Sequence, residues 1–147
     1  MKISTATLSD VPELCGLLSI LFTQEEEFKP DFQKQAEGLN KIIENPETGC
    51  ILKAEADGRI IGMVNLLFTI STFTGGRVCI LEDMVVLPEQ RGTGTGAKIL
   101  EAAKDKVREM GCSRITLLTD GSNVRAQKFY KQHEFERSDM VAMRYFV

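Results

Sequence analysis

The stretch PEQRGTGTGAKIL, Pro88 to Leu100, sets three glycines at alternate positions, Gly92, Gly94 and Gly96. Before it runs VCILEDMVVL, Val78 to Leu87, with the aliphatic and β-branched content of a strand. After it, Ile99, Leu100, Ala103, Val107 and Met110 mark one face of a helix from about Gly94 to Met110, with Gly111 as its C-cap. The glycine ladder is therefore a strand-to-helix junction. RITLLT, Arg114 to Thr119, is apolar enough for a buried strand. Strand, helix and strand together form a crossover that makes the two strands parallel neighbours.

Upstream, KISTAT reads as a short strand. Asp10 and Glu13 have capping-box spacing, and Leu14, Leu17, Leu18 and Leu21 mark a first helix. TQEEEFKPD is a loop. A second helix spans about Asp31 to Glu44, with Phe32, Ala36, Leu39 and Ile43 on one face. CILKAEA and RIIGMVNLLFTI flank Asp57-Gly58, a two-residue hairpin signal. TFTGGR turns the chain into the strand before the ladder. Downstream, DGSN caps a fourth helix carrying Ala126, Phe129 and Tyr130, and MVAMRYFV reads as a closing strand. The order is β-α-α-β-β-β-α-β-α-β, an α/β (α+β) chain with one mixed central sheet, about four helices on it, and a single domain over residues 1–147.

The 147 residues suffice for a full core. A net charge of −3 argues against nucleic acid as a partner, and no apolar run is long enough to span a membrane. The polar start MKISTATLSD lacks a signal peptide's apolar core, so a cytoplasmic protein is expected. Cys15, Cys50, Cys79 and Cys112 form no CxxC pair, and His133 is the single histidine. No metal site is expected, and the cysteines read as reduced and mostly buried.

A helix start exposes unpaired N–H groups with a partial positive charge, and glycine lets an anion approach the backbone. The ladder thus reads as a pyrophosphate site rather than a plain turn. The Walker pattern fails, because Ala97 stands five residues past Gly92 and Ile99 follows Lys98. The dinucleotide pattern GxGxxG/A matches formally through Gly92, Gly94 and Ala97, with Asp120 at the end of the next strand. Against it stand the four residues between strand and first glycine, and the presence of only one crossover. A dinucleotide oxidoreductase stays open at this point.

VxPxxRGxGxG, Val86 to Gly96, resembles motif A of the GNAT acyl-CoA N-acyltransferase superfamily, and NVRAQKFYKQHEF resembles its motif B, through Asn123, Ala126, Phe129, Tyr130 and Phe135. The two motifs stand in the right order, and the resemblance covers nearly the whole chain. It implies that Arg91, Gly92, Thr93, Gly94, Thr95, Gly96 and Ala97 hold the pyrophosphate of coenzyme A. It implies that backbone groups of Met84, Val85 and Val86 meet the pantetheine arm and the thioester carbonyl, where the strand parts from its parallel neighbour. Asn123 and Ala126 would also touch the cofactor, with Asn123 equally suited to a helix N-cap. One departure is Glu134, where motif B usually has glycine in a left-handed conformation.

The implied reaction is direct transfer of the acetyl group of acetyl-CoA to a primary amine in a ternary complex. Freeing an alkyl ammonium of its proton at pH 7 costs about 4.6 kcal/mol, so a carboxylate acceptor for that proton is useful. Tyr130 is the expected acid for the leaving thiolate. Glu82 is the expected base, since strict alternation puts Glu82 and Asp83 on opposite faces of the strand. LEDxxV, Leu81 to Val86, is similar to the same stretch in diamine acetyltransferases. The QEEEF loop, with Glu26 and Phe28, lies where the superfamily lines its acceptor site, and points to a small cationic amine as partner. A homodimer is the superfamily's habit. An acyl-CoA-binding module without transferase activity, or acetylation of a protein amine, are the alternatives.

Overall fold

Four antiparallel neighbours and one parallel strand make the sheet of this computed structural model, which describes residues 1–25 and 29–147. The strands are β1 (Lys2–Thr5), β2 (Gly49–Ala56), β3 (Arg59–Ser71), β4 (Gly76–Val86) and β5 (Ile115–Leu117), in that spatial order. β1 to β4 pair antiparallel, and β4 pairs parallel with β5, as the crossover requires. The helices are α1 (Val11–Gln24), α2 (Phe32–Ile43), α3 (Thr95–Glu109) and α4 (Val124–Gln132). From β1 to α4 this is the order read from the sequence. The chain divides into two compact units, Met1–Leu117 and Leu118–Val147.

In the first unit the Asp57-Gly58 hairpin forms as expected, with Ala56 opposite Arg59 and positive φ at both turn residues. One sheet face carries α1 and α2. Its core includes Leu14, Cys15, Leu18, Leu39, Met63 and Val85. The other face carries α3, whose Ile99, Leu100 and Ala103 are fully buried. Gly62 of β3 sets how closely α3 approaches, because a Cβ there would stand 2.6 Å from Ile99 Cδ1 and 3.2 Å from the Val85 carbonyl oxygen. Along β3, Gly62, Val64 and Leu66 share the α3 face, while Met63 and Asn65 share the α1–α2 face.

Three local expectations are corrected. The Asp10–Glu13 box does not form. Asp10 instead reaches back to the Thr7 N–H (2.7 Å) and pairs with Lys53 (2.7 Å), while Glu13 accepts the Ile60 N–H (3.0 Å). Asp10 thus closes a capping box one turn earlier, with Thr7, and ties it to β2 through Lys53, while Glu13 binds an N–H of β3. Phe32 is 58% exposed, because it is the first residue of α2 and precedes the buried stripe of Gln35 and Leu39. In the second unit, MVAMRYFV carries no strand. Met140, Val141, Met143, Tyr145, Phe146 and Val147 are exposed. Strand propensity needs a paired edge to be realised, and among the described residues this stretch has none.

The second unit contains α4, which Asn123 caps by accepting the Ala126 N–H (3.0 Å). Aromatic rings cluster on α4 and just after it: Tyr130 lies edge-on to Phe129 (5.3 Å) and Phe135 (5.5 Å), and Phe129 lies tilted against His133 (4.7 Å). Glu134 takes the left-handed backbone (φ 70°) that its position in the motif demands.

Gly62→Ala tests the close approach of α3. The Ile99 side chain must swing away and the helix must rise, so we expect a loss of about 1–3 kcal/mol, read from urea unfolding. A neutral result would mean that α3 docks with slack.

Candidate active site

Two neighbouring features of the first unit depend on β4. The first is the ladder. A 3-10 turn, Pro88–Gln90, leads from β4 to Arg91, and Gly92 (φ 78°) and Gly94 (φ 89°) then take left-handed conformations that side-chained residues resist. A Cβ at either would meet nothing within 4 Å, so the requirement for glycine is conformational and the space above them is open. The first helical bond of α3 runs from the Lys98 N–H to the Gly94 carbonyl (3.1 Å). Among the described residues, the six N–H groups from Gly92 to Ala97 donate to no protein oxygen. The loop is braced from below. Arg91 Nε donates to the Val86 carbonyl (3.2 Å), Thr93 Oγ1 donates to the Gln90 carbonyl (2.7 Å), and the hydroxyls of Thr93 and buried Thr95 lie 2.9 Å apart. These hydroxyl and guanidinium contacts consume side-chain donors and leave the backbone ones free.

β4 also loses its neighbour beside this loop. Its pairing with β5 covers only Cys79–Ile115, Ile80–Thr116 and Leu81–Leu117. From Glu82 to Val86 the side of β4 away from β3 has no strand partner among the described residues. Met84, Val85 and Val86 therefore lie on the unpaired length, where sequence reading put the groups that meet a pantetheine arm. β5 stops at Leu117, short of the Thr119 expected.

The second feature is a bulge. Asn65 of β3 opposes Asp83, but Leu66 opposes Leu81, so Glu82 is the extra residue of β4. The bulge shifts the alternation of the strand by one. Leu81, opposite Leu66, shares the α3 face. Asp83 and Val85, opposite Asn65 and Met63, share the α1–α2 face. Without it, Glu82 rather than Asp83 would face α1 and α2. Glu82 is exposed, and Asp83 lines a cavity of about 260 Å³ bounded by Leu18 and Phe22 of α1, by Leu39 and Ile42 of α2, and by Asn65. Sequence reading favoured Glu82 as the base, but of the two acids it is Asp83 that lines this cavity.

The cavity has a polar floor. Asn65 is 4% exposed, and its Nδ2 donates to Asp83 Oδ2 (3.1 Å). Among the described residues Asn65 Oδ1 has no hydrogen-bond partner. Burial pushes the Asp83 carboxyl up to about 6, against the Asn65 hydrogen bond that lowers it, and the Glu82 charge adds to the rise. A proton acceptor near 6 sits closer to working pH than an ordinary carboxylate. In the second unit, Tyr130 is partly buried and its phenol is pushed up to about 12, so it stays protonated at neutral pH. Asn123 fills its capping role, and Ala126 supplies the capped N–H. Glu26 and Phe28 lie outside the described residues. Sequence reading missed Asn65, a polar residue inside an apolar strand, and that contrast was the available signal.

All four cysteines are free thiols, and burial raises the pKa of each, Cys79 to about 12. Among the described residues no cluster of His, Cys, Asp and Glu could hold a metal ion.

The pattern of the Acetyltransferase (GNAT) family matches residues 12–135. An uncharacterized N-acetyltransferase of Bacillus subtilis is 35% identical over 139 residues, covering 92% of this chain and 90% of that protein. A thialysine N-epsilon-acetyltransferase of Mus musculus is 34% identical over 95 residues, 60% of this chain and 55% of that protein. Among solved structures, a probable acetyltransferase superposes with a TM-score of 0.81 at 28% identity, covering 100% of this chain and 97% of that one.

The raised Asp83 carboxyl has a stability consequence with a definite sign. The folded chain holds that proton more tightly than the unfolded chain, so stability falls as pH rises from about 4 to about 6, and the cost persists above. Asp83→Asn should therefore be about 3 kcal/mol more stable than the parent near pH 8 and show no gain near pH 4. Urea titrations at the two pH values check this; equal differences at both would mean the carboxyl is not perturbed.

Proposed function

The chain belongs to the GNAT acetyltransferase family, and on that premise we propose that it moves the acetyl group of acetyl-CoA directly to the primary amine of a small molecule within one ternary complex. The observation that carries the reading is the set of open N–H groups at the head of α3, beside the unpaired length of β4. Donors without acceptors at a helix start fit a pyrophosphate. Gly92 to Ala97 would hold that group, with Arg91 bracing the loop and adding charge. Met84, Val85 and Val86 would offer backbone groups to the pantetheine arm and to the oxygen of the carbonyl under attack. Acetyl-CoA, when bound, supplies an activated acyl group on sulfur.

The remaining chemistry is proton management. The acceptor's amine is an ammonium in water and must lose a proton to become a nucleophile. Asp83, on the floor of the cavity, takes that proton and passes it to solvent. As the C–N bond forms and the C–S bond breaks, the nitrogen sheds a second proton and the sulfur gains one. Tyr130 is the donor to the departing sulfur on this reading. With its phenol near 12, it acts first as a hydrogen-bond donor, since full transfer to a thiolate of pKa near 8.5 is uphill by about 5 kcal/mol. Glu82 tunes Asp83 through its charge rather than touching the acceptor. Both units belong to one catalytic domain in this account, because the family match runs from residue 12 to residue 135. The same account places a homodimer in the cytoplasm.

Titration calorimetry tests the donor site. Acetyl-CoA should bind in the micromolar range and NADH should not, with Arg91→Ala weakening acetyl-CoA about tenfold. NADH binding, or indifference to Arg91, would overturn the assignment of the ladder. The pH profile tests the base. kcat/KM should fall below a limb near pH 6, and Asp83→Asn should remove that limb and lower kcat by about a hundredfold. A limb that survives the substitution would return the role to another group.

A further inference from the structure

We propose that Asn65 positions Asp83 through both halves of the proton transfer, donating from Nδ2 to its carboxylate and accepting at Oδ1 the O–H that forms when Asp83 takes the acceptor's proton. This rests on the reading of Asp83 as the base and names the residue that works through it. Asn65 of β3 stands opposite Asp83 of β4, next to the bulge. Its neighbours along β3, Met63, Val64 and Leu66, are fully buried, and Asn65 itself is 4% exposed. Nδ2 donates to Asp83 Oδ2 (3.1 Å). Oδ1 has under 1 Å² of accessible surface and, among the described residues, no donor. Neither water nor a substrate reaches it. A buried acceptor left in that state is costly, and an aliphatic residue would fill this strand position without the cost. The bond to the Asp83 carboxylate accounts for Nδ2 alone. The other half of the amide needs a donor that is present only part of the time.

Protonated Asp83 is that donor. A carboxylate only accepts, whereas a neutral carboxyl pairs one accepting oxygen with one O–H. A primary amide presents the complement, an N–H beside a carbonyl. As the acceptor's ammonium gives up its proton, the N–H bond breaks, its electron pair stays on nitrogen, and an O–H bond forms at Asp83 Oδ1. Rotation about the soft χ2 of Asp83 turns that O–H to Asn65 Oδ1, while Nδ2 keeps its bond to Oδ2. The carboxylate is thus held by one hydrogen bond and the acid by two. Nδ2 favours the carboxylate, and Oδ1 acts together with burial to favour the acid. Asp83 is the less buried of the pair and lines the cavity, so the proton enters and leaves through it rather than through the amide. The charged groups around Asp83 are Glu82 on its own strand, and Lys29, Asp31 and Lys34, which line the same cavity just before and at the head of α2. From α1 the cavity receives the apolar Leu18 and Phe22. These charges are common to the parent and to any Asn65 variant, so they cancel between the two.

Carbon-13 NMR of the full chain labelled at asparagine tests the pair without any substitution. The Asn65 Cγ resonance should move downfield as pH falls through the Asp83 midpoint, near 6, because its carbonyl gains a hydrogen bond. With Nδ2 as the only bonded group, weakening of that bond on protonation would move Cγ upfield; that result, or no movement, overturns the inference. Steady-state kinetics tests the role. Asn65→Leu should lower kcat about tenfold and leave acetyl-CoA affinity, read by calorimetry, unchanged. On the Asp83→Asn background the same substitution should cost nothing further, since Asn65 acts through Asp83. An equal added loss on that background marks a purely structural role and overturns the inference, as does a kcat in Asn65→Leu equal to the parent's. Both outcomes leave Asp83 as the base. If Asp83→Asn alone leaves kcat unchanged, the base assignment itself fails and the inference falls with it.

Discussion

Everything at the site hangs on the register of β4. A strand in a two-faced sheet must send alternate side chains to opposite layers, and a single extra residue reverses the assignment from that point on. Here the extra residue is Glu82. Before it, β4 contributes Leu81 to the layer under α3. After it, β4 contributes Asp83 to the layer under α1 and α2. The pairing with β5 ends at Leu81, at the same point. One local irregularity thus changes face, frees an edge and moves a carboxylate indoors.

The two ends of the proposed proton traffic show how environment separates like chemistry. Asp83 is held up to about 6 by burial, so it ionises in the working range but keeps affinity for a proton. Tyr130 is held up to about 12 by the same cause, so it remains a donor. Neither shift needs a metal or a neighbouring cation. Burial penalises the charged form of each acid, and the size of the starting pKa decides whether the result is an acceptor or a donor at neutral pH.

Much of this was legible in the residues. Glycines at Gly92 and Gly94 have few reasons to recur at a strand-to-helix junction, and both turn out left-handed. Helix faces built on Leu14, Leu18, Leu39, Ile99 and Leu100 follow directly from a period of 3.6. Glu134 was readable as a left-handed position occupied by the wrong residue type, and its φ agrees. What could not be read were relations between strands. Alternation assigns Glu82 and Asp83 to opposite faces, but the face that Asp83 takes depends on a bulge that involves β3, far away in sequence. MVAMRYFV has the composition of a strand, yet composition does not supply a partner edge. The orphaned Asn65 Oδ1 is likewise a property of two strands brought together, not of either one.

The four free thiols, Cys15 and Cys79 buried and Cys50 and Cys112 partly so, bear on chemoselectivity. A thioester exchanges with thiolates as readily as it acylates amines, and a protein that concentrates one beside itself risks acylating its own cysteines. The thiolate is the reactive form, and burial raises the pKa of Cys15, Cys50, Cys79 and Cys112 alike. At neutral pH each presents less thiolate than a free cysteine would. Packing that serves the core therefore also keeps the chain's own sulfur out of competition with the incoming nitrogen.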